Sequence, residues 1–197
     1  MKRLANVAVC LVLAAAAAGC GETTTAYEGL GPHSGEPDEE ATREGLAIEF
    51  EDVEYNVLIT RELNLRDVED QGYVDPDLEE APPGSAYYGV FLRACNTTDD
   101  PVAPSARMRI VDTQENFYEP TRLSADNPFA YQSRVLQPEE CLPASGSVAD
   151  TGPTGGSLVL FEVPLEAIEN RPLELEILGD YNLTEREQEF TAIELDI

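Results

Sequence analysis

Tyr87-Tyr-Gly-Val-Phe-Leu-Arg-Ala-Cys-Asn96 is the stretch that decides the fold. It is apolar on both alternating faces, as expected of a strand buried on two sides in the middle of a sheet. Ser157-Leu-Val-Leu-Phe-Glu-Val163 reads the same way. Around these two lie one-sided strands. Ile48 and Phe50 alternate with Glu49, and Tyr55, Val57 and Ile59 alternate with Asn56 and Thr60. Met108 and Ile110 sit between Arg107 and Arg109, and Phe117-Tyr118 follows a short turn. Leu173, Leu175 and Ile177 alternate with Glu174 and Glu176, and Ile193, Leu195 and Ile197 with Glu194 and Asp196. Both patterns have the period of two that puts alternate side chains on opposite faces. Phe190 falls out of phase with the last pattern, which predicts a bulge. Leu165–Asn170 is long enough for one helical turn. Seven or eight short strands separated by Pro, Gly, Asn and Asp predict an all-β domain of antiparallel strands, a sandwich or a barrel.

Two stretches interrupt these strands. Glu62 to Ala86 holds eight carboxylates and a single Arg66. An insertion of that length in a compact domain is usually functional or disordered. Asp67, Glu69, Asp70, Asp75, Asp77, Glu79 and Glu80 are the candidate oxygen ligands for Ca²⁺. The spacing departs from the EF-hand loop, because Glu80 stands where the turn glycine belongs and Ala86 where the bidentate glutamate belongs. A solvated acidic loop without metal is the favoured expectation. Gln137 to Gly156 is rich in Pro, Gly and Ser, and contains Cys141.

The N-terminus has a different character. Lys2 and Arg3 precede an apolar run from Val7, too short to span a bilayer, which ends in Ala17-Ala18-Gly19-Cys20. This resembles a bacterial lipobox, in which the leader is cut before the cysteine and its sulfur is acylated. Ala17 stands where that motif usually has Leu, and an ordinary secretory signal is the alternative. Residues 1–19 are thus expected to be a signal peptide and Cys20 the lipid attachment point. The chain would be extracytoplasmic, anchored to a bacterial cell membrane. Residues 20–45 lack apolar periodicity and predict an acidic flexible tether, leaving residues 46–197 as the domain.

The formal net charge is −27, and −29 once Lys2 and Arg3 are removed. Such a field argues against nucleic acid as a partner and favours cations or basic ligands. Lys2 is the only lysine, so every other basic residue is Arg. That follows from either genome composition or a saline habitat. Residues 46–197 contain neither histidine nor lysine. A serine or cysteine triad therefore lacks its base, and zinc or copper lacks its usual ligand set. No glycine-rich loop meets a helix to cradle phosphate. Paired carboxylates for glycoside hydrolysis remain arithmetically available, but there is no tryptophan to stack a sugar. No cofactor is expected.

Cys95 and Cys141 remain after Cys10 and Cys20 are assigned to the leader and the anchor. An even pair in an oxidising compartment predicts a disulfide, with two unpaired thiols as the alternative. The bridge would close about 47 residues, worth around 4 kcal/mol in the chain-entropy description.

The order Tyr55-Asn-Val57, Thr60-Arg-Glu-Leu-Asn64, Glu69-Asp70, Tyr88-Gly-Val-Phe-Leu92, Asn96, Leu136-Gln-Pro138 and Leu160-Phe-Glu-Val-Pro164 resembles a family of bacterial surface lipoproteins with a telokin-like domain. The resemblance spans residues 46–180. It implies an immunoglobulin-like β-sandwich and a lipid anchor, in a family whose function is largely unassigned, and it carries over no catalytic residue. The expected function is a non-enzymatic binding or interaction module of the cell envelope, whose partner is another envelope protein or a basic ligand. A cation-binding module built on residues 62–86 is the alternative.

Overall fold

The computed structural model describes residues 41–184 and 186–197. The expected signal peptide, Cys20 and the tether up to residue 40 lie outside the described residues.

Eleven strands are present among the described residues: β1 (Thr42–Arg43), β2 (Ala47–Phe50), β3 (Val53–Leu63), β4 (Ser85–Asn96), β5 (Met108–Val111), β6 (Phe117–Tyr118), β7 (Pro120–Thr121), β8 (Cys141–Leu142), β9 (Ser157–Pro164), β10 (Leu173–Asn182) and β11 (Glu187–Leu195). Only β2, β3, β4, β5, β9, β10 and β11 have four residues or more, and these are the strands whose alternation is legible in the sequence. One sheet has the order β2-β3-β4-β9-β7, with β8 also paired to β4; the other has the order β1-β11-β10-β5-β6. Every pairing is antiparallel except that of β1 with β11. The protein is an antiparallel β-sandwich.

Inward side chains of both sheets make the main core, among them Tyr55, Val57, Val90 and Leu92 from one sheet and Ile110, Leu175, Ile177 and Ile193 from the other. The strands follow the alternation until β3 reaches Leu58. Val57 pairs with Leu92 and Ile59 with Phe91, so Leu58 is an extra residue. That bulge reverses the facing of everything after it. Ile59, expected on the core side, is instead 37% exposed, and Leu63 turns outward. A second bulge lies opposite Phe190. Leu178 pairs with Phe190 and Tyr181 with Gln188, so the surplus residue is on β10, across from the break in phase.

Outward-facing Leu63, Tyr87, Phe91, Leu158 and Leu160 form a second apolar cluster with Tyr73 and Val74. Gly89 makes room for it: a Cβ there would lie 2.9 Å from Leu158 Cδ1 and 3.0 Å from Leu63 Cδ1. The acidic stretch after β3 therefore does not hang free. It carries α1 (Val68–Gln71) and lies over the sheet. The Tyr73 ring meets Phe91 and Phe129 edge-on at 5.1 and 5.0 Å. Burying an aromatic and an aliphatic side chain contributes roughly 1.5–3 kcal/mol each, which outweighs the mutual repulsion of exposed carboxylates. As a result β4 is covered on both faces, as its sequence requires.

Residues 42–45, placed in the tether on sequence, belong to the domain. Glu44 N–H donates to Glu194 O at 2.9 Å and Gly45 N–H to Val57 O at 2.8 Å. A two-residue strand has no periodicity to reveal it. The Pro/Gly/Ser-rich stretch 137–156 likewise contains β8 and the short helix α2 (Val148–Thr151). Leu165–Glu169 forms a 3-10 turn. On the outer face of the second sheet Arg109 and Glu176, cross-strand partners, form an ion pair of 2.5 Å. The guanidinium also lies 4.0 Å from the centroid of the Phe117 ring. Arg109 and Glu176 are each 4% exposed.

Candidate functional site

The seven candidate ligands in residues 62–86 are dispersed by the local fold. Asp67 caps α1, accepting from Glu69 N–H at 2.8 Å. Asp70 is buried, forms an ion pair with Arg61 and accepts from Asn64 N–H at 2.8 Å. Asp75 accepts from Ser124 N–H at 2.6 Å and from Asn127 Nδ2 at 3.0 Å. Glu80 receives a forked pair of hydrogen bonds from Arg66, 3.0 and 2.7 Å, which holds its pKa below the ordinary carboxylate value. Glu69, Asp77 and Glu79 are exposed. No group of three or more His, Cys, Asp or Glu side chains among the described residues could hold a metal ion. Arg61 just precedes this stretch, and its neutralising role depends on the β3 bulge. It also stacks over Tyr73, 5.6 Å from the ring centroid.

Cys95 and Cys141 are joined, with Cα atoms 4.1 Å apart. They are directly opposed on β4 and β8, so the bridge lies within one sheet instead of crossing the sandwich. It ties the 97–140 excursion back to the central strand. Asn96 does the same with hydrogen bonds: its Nδ2 donates to Asp100 O at 2.8 Å and to Leu136 O at 3.2 Å.

Asp112, which had no role on sequence grounds, is a buried hub at the end of β5. Its carboxylate accepts from the N–H groups of Gln114 and Asn116, from the side-chain amides of Asn116 and Asn170, and from the Tyr118 hydroxyl at 3.0 Å. Burial alone would raise its pKa. The hydrogen bonds from Asn116, Asn170 and Gln114 outweigh that and hold it below the usual value. The same contact, added to burial, pushes Tyr118 up to about 12. The pattern Asp112-Thr-Gln-Glu-Asn116 carries the signal of an Asx-type turn, and a carboxylate so fully satisfied is a structural fastener.

Tyr55 and Tyr131 converge on Ser105. Ser105 N–H donates to the Tyr55 hydroxyl at 2.7 Å, and the Tyr131 hydroxyl donates to Ser105 O at 2.8 Å. Burial pushes Tyr55 up to about 12 and Tyr131 well above its ordinary value. Both are therefore fixed hydrogen-bonding groups at neutral pH, unsuited to proton transfer. Among the described residues no helix is long and apolar enough to cross a membrane.

No family model matches the chain, and no curated protein matches it. Among solved structures it is similar to the yjhA protein of Bacillus subtilis, at 9% identity over 79% of this chain and 99% of that one, with a TM-score of 0.44. It is also similar to a conserved hypothetical protein from Bacillus anthracis, at 12% identity over 68% and 87%, TM-score 0.46. A third is an uncharacterized β-sandwich protein from Clostridium difficile 630, at 14% identity over 82% and 100%, TM-score 0.40. Likenesses this distant bear on neither function nor site.

Proposed function

We propose that the chain is a lipid-anchored, non-enzymatic interaction module of the bacterial cell envelope. The observation that carries this is Ala17-Ala18-Gly19-Cys20 at the end of a charged and then apolar leader. Cys20 is the acylation point, and residues 21–41 form the acidic spacer that holds the sandwich off the headgroups. The Cys95–Cys141 disulfide supports an oxidising compartment. The likeness of the strand motifs to telokin-like surface lipoproteins points the same way. The partner is a second envelope protein or a basic ligand, because a net charge of −29 disfavours acidic ones.

The absence of catalysis rests on the side chains present. The domain offers no histidine or lysine, and its cysteines are joined. Its deeply buried carboxylates Asp70, Asp112 and Glu176 are each held by arginine or by several amide donors. Expression of Cys20→Ala beside the wild-type chain tests the anchor. The variant should carry no acyl chain and should not be cut before residue 20, both read from the intact mass of the protein. A variant that is acylated and cut before residue 20 as the wild-type chain is refutes lipid attachment at Cys20.

A further inference from the structure

The first sheet is incomplete along one edge, and a hollow opens there. β7 leaves β9 after Thr121. The chain swings out and is pinned by Asp75 through Ser124 and Asn127. It returns at Ala130 opposite Leu158, where Tyr131 N–H donates to Leu158 O at 2.8 Å. Gln132 Nε2 donates to Ala125 O at 2.7 Å and braces the two limbs. Between these limbs, β9 and the start of β5 lies a cavity of about 620 Å³, walled by Met108, Leu123, Tyr131, Leu158 and Leu160. Its size falls within the range of small-ligand sites, and a mostly apolar wall with few polar groups is their usual chemistry.

The polar groups facing this hollow are largely engaged. The Tyr131 hydroxyl is committed to Ser105 O, and the Gln132 amide to Ala125 O. Arg122 also lines the cavity, is exposed, and has no hydrogen bond or ion pair among the described residues. Six other arginines hold a carboxylate. In a chain with 39 carboxylates, a guanidinium left at the mouth of an apolar hollow is a recognition group without its counterpart.

We propose that this hollow binds a small amphipathic monocarboxylate of the free fatty acid type. The alkyl chain lies along the open edge of β9 between Leu123 and Ala130, over the floor that Met108 helps to form, and the carboxylate is forked by Arg122. A planar carboxylate matches the two parallel N–H donors of one guanidinium. A phosphate dianion would bring twice the charge into a strongly negative field with the same single cation to offset it. The site goes beyond the anchoring proposal and is independent of it, since binding in solution is blind to whether Cys20 is acylated.

Calorimetric titration of the full chain with decanoate and with decyltrimethylammonium, both as monomers, tests the site. The probes share an alkyl chain and carry opposite charge, and non-specific binding to an acidic protein favours the cation. Decanoate should bind one per chain, at least about tenfold tighter than the cation. Arg122→Gln should reduce decanoate affinity about tenfold, the loss of a charge-assisted hydrogen bond, with unchanged Tm because the side chain is exposed. Met108 is the only methionine beyond Met1, so its methyl NMR signal reports from inside the hollow and should shift with the same saturation curve. Failure of wild-type chain to bind decanoate overturns the proposal. So does a cation that binds as tightly, or saturation that leaves the Met108 signal unmoved.

Discussion

One carboxylate oxygen of Glu44 accepts a 2.9 Å hydrogen bond from the backbone N–H of Thr60. Its other oxygen accepts from Asp196 N–H at 3.1 Å. Thr60 belongs to one sheet and Asp196 follows the last strand of the other, so a single side chain ties the two layers at their edge. Glu44→Ala should lower stability by about 1–2 kcal/mol, the worth of hydrogen bonds to a partly exposed charge. Glu44→Gln, which retains one oxygen acceptor, should lose less. Equal denaturant midpoints for all three proteins would dismiss the tie.

The disulfide gives a chemical prediction. Alkylation of the unreduced, denatured protein should label neither Cys95 nor Cys141. Cys95→Ala with Cys141→Ala should cost roughly 2–4 kcal/mol, measured by urea unfolding. Two labelled thiols in the unreduced sample would contradict the bridge.

Arg61 neutralises Asp70 and stacks on Tyr73, so it clamps the acidic layer to the sheet. Arg61→Ala leaves a buried carboxylate without its cation, a costly state. Limited proteolysis should then cut within residues 64–84 at a protease dose that spares the wild-type chain. Unchanged cleavage would show that the aromatic packing alone suffices.

Calcium should stabilise the protein no more than any other divalent ion. Asp67, Asp70, Asp75 and Glu80 are already occupied by protein donors, and the exposed carboxylates do not converge. Millimolar Ca²⁺ and Mg²⁺ should raise Tm alike, with NaCl giving part of the effect through screening. A Ca²⁺-selective rise that vanishes in Asp75→Asn would reinstate the cation site.

Asp112 makes stability depend on acid. Its folded pKa lies below the ordinary carboxylate value, so its contribution is fully present above about pH 4, near the unfolded pKa. It is lost as pH falls through the lower folded value. Asp112→Asn should therefore be less stable than wild type at neutral pH, and the gap should close on acidification. A gap that is constant with pH would assign the effect to packing instead.

The fold was legible where strands are long and meet the core on one or both faces. β4 and β9 show this with their two-sided runs, and β10 with its Leu173-Leu175-Ile177 alternation. It was illegible where a single residue changes phase. Leu58 looks like any strand residue, yet as a bulge it sends Leu63 outward to found a second cluster. The packing of the acidic stretch was illegible because its charge is conspicuous and its apolar anchors, Leu63, Leu65, Tyr73, Val74 and Leu78, are scattered without a period. Tyr73 and Val74 are two apolar side chains among eight carboxylates, and their burial became evident only once Phe91 and Phe129 were placed beneath and beside them. Arg122 carried no signal, because in sequence an arginine does not show whether it has a partner.

The entry of the chain beside β11 also has a mechanical meaning. A pull on the chain ahead of Thr42 runs along β1, in shear against the parallel β11, instead of peeling one bond at a time. Within four residues the load passes to Glu194 and Asp196 on one sheet and to Val57 and Thr60 on the other. A load applied at Thr42 is thus divided between both layers before it reaches the core.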